Sequence, residues 1–430
     1  MGFIDKIKKY KWIAKVILTT SWADKKKIIS GFKNADQYYE IENTKTNMKD
    51  LLKCTLCPNM CRFECPSLRV TQKEMYAPAT KARISYHMER GDIPMSDLHS
   101  AEVPYICTNC DGCQTWCPMD ISAGDLLRGV RADLVAQDIY IPGVKEFEEK
   151  VVTAKTAFTE STFSSNPDFN VNMENPNVFY YTGCVMAEKK PEAVKANIEI
   201  LKFAGVSFCT HTDKRQCCSG PLYTLGFDET VKKFAEQNLA LFDESGVEVI
   251  IADCPACVNT IKNTYRELGY DHDYKVMTTG QYYAQLIKQG KLKLEHPVNI
   301  SITYHDPCIL VRKLERQPFI DTGNLDPELR YNGENELDSS RYIFSKIPGL
   351  ELKDVFLHGQ QTQCCGRGGV SHVHHPEISD KIGKQRVKQL KDMNADEIVS
   401  ACPACEEGLN YNGVELCLDI GEVLLKAIRK

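Results

Sequence analysis

The chain has 430 residues, 43% hydrophobic and 26% charged, and a formal net charge of −5. That length accommodates two or three domains with real cores, and the charge balance removes any electrostatic case for nucleic acid. Twenty cysteines follow a charged start, MGFIDKIKKY, that lacks the apolar stretch of a secretion signal, which argues for reduced, metal-holding thiols and against disulfides.

Residues 1–50 open with Phe3, Ile4, Ile7, Trp12, Ile13, Val16 and Ile17 near helical spacing, with Lys6, Lys8, Lys9, Lys11 and Lys15 between them. Two readings fit: a surface helix packed on its own domain, or an amphipathic docking segment for a membrane surface or membrane subunit. No stretch reaches the roughly 18 apolar residues of a spanning helix. The expected location is therefore cytoplasmic, peripheral at the membrane face through a partner subunit.

Residues 51–150 carry two cysteine runs, each closed by Cys-Pro. The second, Cys107-x2-Cys110-x2-Cys113-x3-Cys117-Pro118, has the spacing of a bacterial ferredoxin run, while the first, Cys54-x2-Cys57-x3-Cys61-x3-Cys65-Pro66, has one extra residue. One loop wraps three corners of a cluster and its fourth cysteine crosses to the other. Cys54, Cys57, Cys61 and Cys117 are then one ligand set, and Cys107, Cys110, Cys113 and Cys65 the other. Zinc knuckles would end after two cysteine pairs without the trailing Cys-Pro. Helices are expected over 79–90, stopped by Gly91, and over 123–137. With 41 residues between the runs, this is a helical two-cluster ferredoxin domain. Residues 151–177, rich in Ser, Thr and Asn, read as a linker.

Residues 178–299 and 300–430 repeat one order of elements. A strand (178–181; 300–304) leads to a first cysteine, Cys184 or Cys308. In the first half a helix opened by Pro191 and closed by Gly205 follows. A double cysteine comes next, Cys217-Cys218 or Cys364-Cys365, then a long amphipathic helix (about 228–243; 377–391) and a strand (247–251; 397–400). Each half closes on Cys-Pro-Ala-Cys at a helix start, Cys254 to Cys257 or Cys402 to Cys405. Alternation of strand and helix predicts an α/β fold with parallel sheets, cysteines at the strand ends. Five thiols per half exceed the demand of a four-cysteine cubane. The copies differ by 23 extra residues within or beside 316–341, which read as a tolerated surface loop. Cys209 and Cys417 fall outside every set and read as small buried hydrophobes.

Gly183-Cys184, Cys217-Cys218-Ser219-Gly220 and Cys254-x2-Cys257, with His305-Asp306-Pro307-Cys308, Cys364-Cys365-Gly366 and Cys402-x2-Cys405, resemble the cysteine-rich CCG domains of the heterodisulfide reductase superfamily. A ferredoxin module ahead of two such domains is similar to the D-type component of that superfamily, over about residues 51–430. The resemblance implies a noncubane 4Fe-4S cluster in each five-cysteine set, and two ferredoxin-type 4Fe-4S clusters as the wire feeding the first of them. It implies reduction of a disulfide of two small thiols. The same modules occur in iron-sulfur subunits of glycolate, lactate and glycerol-3-phosphate dehydrogenases and in sulfite-linked membrane complexes, so an electron relay without a substrate site is the alternative. Both cysteine sets are complete, which favours the reductase. Ser219 departs from the glycine of the motif.

His305, His372, His374 and His375 are candidate proton donors, and Arg367 could meet a substrate anion or offset cluster charge. No Gly-x-Gly-x-x-Gly run follows a strand, so flavin or nicotinamide belongs to another subunit. The resemblance implies a membrane b-type cytochrome as donor, with a flavin subunit as the alternative.

Overall fold

The computed structural model describes residues 19–33, 35–41, 43–157, 166–214, 216–316 and 338–428; the expected amphipathic positions 3–17 and most of the expected surface loop lie outside them. Three helices, Met48–Leu56, Pro78–Glu89 and Ala123–Ala136, form the N-terminal bundle around Met48, Leu51, Ala82, Tyr86, Leu126 and Val130. Asn47 and Ser122 cap the first and third by accepting the backbone N–H three residues on, and Pro78 opens the second. Tyr38 and Thr46, expected in the docking segment, are tied to this bundle. Tyr86 donates to the Tyr38 carbonyl (2.7 Å) and Thr46 to the Leu126 carbonyl (2.9 Å). Gly129 permits the approach, since a Cβ there would lie 2.6 Å from Thr46 Cα.

The expected linker is also held at both ends. Its first residues complete the helix Val144–Ala154, and Asn172 bridges antiparallel to Cys209.

Beyond it lie two four-stranded parallel sheets of identical topology. The first has β1 (Val178–Tyr181), β2 (Phe208–Cys209), β3 (Val249–Ala252) and β4 (Lys275–Thr278) in the order β2-β1-β3-β4. The second has β5 (Ser301–His305), β6 (Glu351–Leu352), β7 (Glu397–Ser400) and β8 (Cys417–Asp419) in the order β6-β5-β7-β8. Tyr181 pairs with Ala252 and His305 with Ser400, so the central strands of each sheet end side by side, just before a first cysteine and a Cys-Pro-Ala-Cys. Cys209 and Cys417, both buried, lie on outer strands.

The halves face each other about a pseudo-twofold. The helix Pro191–Phe203 packs on Ile420–Ile428, and Thr279–Lys288 packs on Ser339–Lys346. A buried polar seam crosses between them. Tyr180 donates to Asp253 (2.7 Å), Asn197 donates to the same carboxylate (3.0 Å), and Lys190 of the first half pairs with Glu406 of the second at 3.1 Å.

One end of the expected surface loop is core. Arg341, on the helix Ser339–Lys346, is buried and binds Asp306 with two parallel bonds (2.6 and 3.0 Å), as well as Asp338 and Asp354. The partners Asp306 and Asp354 are distant in sequence, and a charged turn-rich segment gives no sign of them.

Candidate metal centres

Within the bundle, Cys54, Cys57, Cys61 and Cys117 line one cavity and Cys65, Cys107 and Cys110 a second, with Cys113 lining both. The fourth cysteine of each run thus faces the other run's cavity. The extra residue of the first run is absorbed where Asn59 turns left-handed (φ 63), a conformation asparagine tolerates. Burial pushes the Cys54 thiol up to about 12 and Cys61 to about 11, so these thiols would ionise only beside a positive charge such as a metal core. Cys65 differs. Burial would raise it, but the Lys81 ammonium, the Leu68 N–H and the Ser67 hydroxyl outweigh that and hold it below the usual thiol range.

In the first sheet domain, Cys184 opens a helix behind Gly183 (φ 63), Cys217-Cys218 precede the helix Gly220–Leu225, and Cys254 opens Pro255–Asn259. The Cys217 thiol neighbours those of Cys184 and Cys218, and Cys257 those of Cys218 and Cys254. All five thiols are therefore contiguous. Ser219 adopts φ 61 and donates to the Cys218 carbonyl at 2.5 Å, which a serine manages at roughly 1–2 kcal/mol over glycine. Backbone N–H groups of Ser219 and Gly220 reach Cys217 and Cys218 Sγ at 3.4 and 3.5 Å.

The second set repeats this. The Cys365 thiol neighbours those of Cys364 and Cys405, Cys402 neighbours Cys405, and Cys308 stands within electrostatic reach of Cys365. Cys254 and Cys402, the leading cysteines of the two Cys-Pro-Ala-Cys turns, touch each other. The ten thiols form one sulfur-lined region across the pseudo-twofold.

His305 is buried, with a ring nitrogen and the Cys365 and Cys405 sulfurs all within 4.8 Å of one another. Arg386 donates from Nε to His305 Nδ1 at 3.0 Å, leaving Nε2 to carry the proton towards sulfur. Burial holds this imidazole below the ordinary histidine range. The other three candidate histidines are not part of that group. His374 donates to the Gly369 carbonyl (2.9 Å) and His375 to Glu102 of the bundle (2.8 Å), and burial lowers His372 to about 4 and His374 to about 2. Arg367 pairs with Glu407 at 2.8 Å and lies over the Tyr411 ring.

The ferredoxin loop 107–113 meets the second five-cysteine set, where the sequence led us to expect the first. Arg312, on a π-helical turn Leu310–Leu314 just after Cys308, donates to the Cys110 carbonyl (2.7 Å) and the Thr362 carbonyl (2.6 Å). A Cβ on Gly368 would lie 2.4 Å from the Thr108 carbonyl oxygen, and one on Gly369 would lie 2.5 Å from that of Cys107. In the first half the matching positions after the double cysteine are Pro221 and Leu222, whose side chains forbid such an approach. Arg131, fully buried, fastens the other side by donating to the carbonyls of Pro104, Cys107 and Thr224. Lys81, Arg131, Arg312 and Arg386 escaped the sequence reading because helical periodicity assigns such residues to solvent.

The thiol-rich sets, four cysteines assigned to each bundle centre and five in each sheet domain, fit two ferredoxin-type and two noncubane 4Fe-4S clusters. Residues 178–262 and 302–410 match the family model of a cysteine-rich domain, and residues 50–121 that of a 4Fe-4S dicluster domain. The D-type component of the dihydromethanophenazine:CoB–CoM heterodisulfide reductase of Methanosarcina acetivorans is 26% identical over 406 residues, 88% of this chain and 92% of that protein. The EtfAB:quinone oxidoreductase of Syntrophomonas wolfei is 27% identical over 370 residues, 77% of this chain and 47% of that one. A crystal structure of a hypothetical protein from Helicobacter pylori aligns with all of this chain and 77% of its own at a TM-score of 0.51 and 11% identity, a likeness of fold alone.

Proposed function

We propose that this chain, an iron-sulfur oxidoreductase subunit similar to the D-type component of heterodisulfide reductase, reduces a disulfide of two small thiols at paired noncubane clusters. The observation that carries the reading is the meeting of two complete five-cysteine sets at Cys254 and Cys402. When bound, the two clusters supply one electron to each departing sulfur. Cys184, Cys217, Cys218, Cys254 and Cys257 would hold one, and Cys308, Cys364, Cys365, Cys402 and Cys405 the other. Cys54, Cys57, Cys61 and Cys117, with Cys65, Cys107, Cys110 and Cys113, would hold the relay.

The chain's other residues shape that chemistry. His305, oriented by Arg386, presents an N–H to the second set, and Arg312 fixes the Cys110 loop beside it. Electrons enter at the first bundle cavity, whose rim exposes Leu56 (75%), Met60 (71%) and Met119 (62%). An exposed apolar patch of this kind marks a partner face. The partner we favour is a membrane b-type cytochrome, with a flavin subunit second, placing the protein at the cytoplasmic membrane face; no described helix is long and apolar enough to cross a membrane.

The similarity to EtfAB:quinone oxidoreductase supports the other reading, an electron relay with no substrate of its own. The deciding experiment is anaerobic thiol release from the coenzyme M–coenzyme B heterodisulfide, driven by reduced viologen, on protein carrying about 16 irons per chain, as four 4Fe-4S clusters require. Turnover is expected. Its absence in iron-replete protein would sink this substrate and leave the relay or another disulfide.

A further inference from the structure

Lys81 is 2% exposed and lines the cavity of Cys65, Cys107, Cys110 and Cys113. Its Nζ has Cys65 Sγ and Ser67 Oγ as neighbours, each at 3.5 Å, and no carboxylate partner among the described residues. Lys190, the other buried lysine among them, has Glu406. An ammonium buried without a counter-ion costs several kcal/mol, so the charge that balances Lys81 belongs to whatever fills the cavity. A cluster held by four thiolates is negative, and one unit more so when reduced.

Two further buried cations flank the same loop, Arg131 at the Cys107 carbonyl and Arg312 at the Cys110 carbonyl. Against them stands Asp111, whose carboxylate is itself offset by Lys313 at 3.3 Å. No buried cation lines the first cavity among the described residues, and Lys81 reaches it only through Cys54, on which it acts less than the neighbouring thiols do. That cavity's one lysine, Lys53, is exposed and already paired with Asp50.

We infer that Lys81, supported by Arg131 and Arg312, holds the second ferredoxin-type centre at a higher potential than the first, so that an electron received at the outer centre moves inward and is retained beside the Cys308 set. The step is a one-electron transfer: the first centre is oxidised, the second reduced, and no proton moves. It rests on the cluster assignment proposed above and concerns how the relay is biased.

The test is an EPR-monitored redox titration of the full-length, iron-replete protein. The outer centre is recognised by its faster relaxation when a soluble dysprosium complex is added. In the wild type the outer centre should titrate at the lower potential. In Lys81→Met the inner centre should move down further than the outer, its reduced-to-oxidised ratio at the wild-type midpoint falling at least tenfold, or about 59 mV for a one-electron couple. Lys81→Arg should stay near the wild type. Reversed order in the wild type would overturn the inference, as would an iron-replete Lys81→Met whose inner ratio changes less than twofold. Should Lys81→Met lose inner-cluster iron, the wild-type order decides alone. Failure to find four clusters at all would instead sink the function proposed above.

Discussion

Glu315 sits where the two halves meet, and its titration offers a sensitive check on that packing. It is buried, accepts hydrogen bonds on one oxygen from Ser339 (2.6 Å) and Gln281 (3.2 Å), and has no cation beside it among the described residues. Burial pushes its carboxyl from the ordinary 4.5 up to about 8. A carboxyl whose folded pKa lies above its unfolded value is protonated longest in the folded state. The wild type therefore loses stability as pH rises from about 4.3 to the folded pKa, and the loss is flat beyond it. Glu315→Gln keeps the shape and the accepting oxygen and removes the titration. Between pH 5 and pH 8 the variant should gain on the wild type by up to about 4 kcal/mol, at roughly 1.36 kcal/mol per unit over three units. Anaerobic thermal unfolding followed by circular dichroism at both pH values, on samples of equal iron content, reads this as a gap on the order of 5 °C that opens towards pH 8. Parallel curves for the two proteins across that range would refute the reasoning, as would a glutamine variant less stable at pH 8.

Arg341→Met should destabilise by about 3–5 kcal/mol, because it leaves Asp306 buried without its cation; the same melts should show Arg341→Met combined with Asp306→Asn recovering part of the loss. Gly369→Ala puts a methyl 2.5 Å from the Cys107 carbonyl at a φ of +67, costing about 1–3 kcal/mol by overpacking. It should weaken the magnetic coupling between the inner ferredoxin-type centre and the Cys308 set in EPR spectra, whereas Pro221→Gly in the other half should leave that coupling unchanged. Lys190→Met strands Glu406 in the seam between the halves and should lower the melting temperature on a similar scale, with Lys190→Met/Glu406→Gln closer to the wild type.

Much of this architecture could be read from the chain because cluster chemistry leaves rigid spacings. The apolar runs of β1, β5 and β7 and the proline starts at Pro191 and Pro403 were legible for the same local reason. The outer strands were not. Phe208–Cys209 and Glu351–Leu352 are two residues long, and Lys275–Thr278 begins with a charge, so none shows a pattern that stands out from a loop. What escaped altogether depends on distance in space. Arg341 looked like a loop residue because Asp306 lies 35 positions away, and Lys81 looked like the wet face of a helix because only the folded cavity shows that its ammonium's hydrogen-bond partners among the described residues are one sulfur and one hydroxyl. His374 and His375 drew notice as possible acids, yet their ring contacts serve to hold the ferredoxin bundle.

The pseudo-twofold has a consequence for inheritance. The helix after Cys184 rests on the helix Pro403–Tyr411, and the turn after Cys308 rests on Pro255–Asn259, so each copy completes the wall of its twin's centre. This is the geometry of an isologous dimer drawn into a single polypeptide. A substitution in either copy is felt at both centres. The two are thus bound to change together, while the double glycine that only the later copy carries, and the proline and leucine that replace it in the earlier one, leave the pair with a fixed front and back.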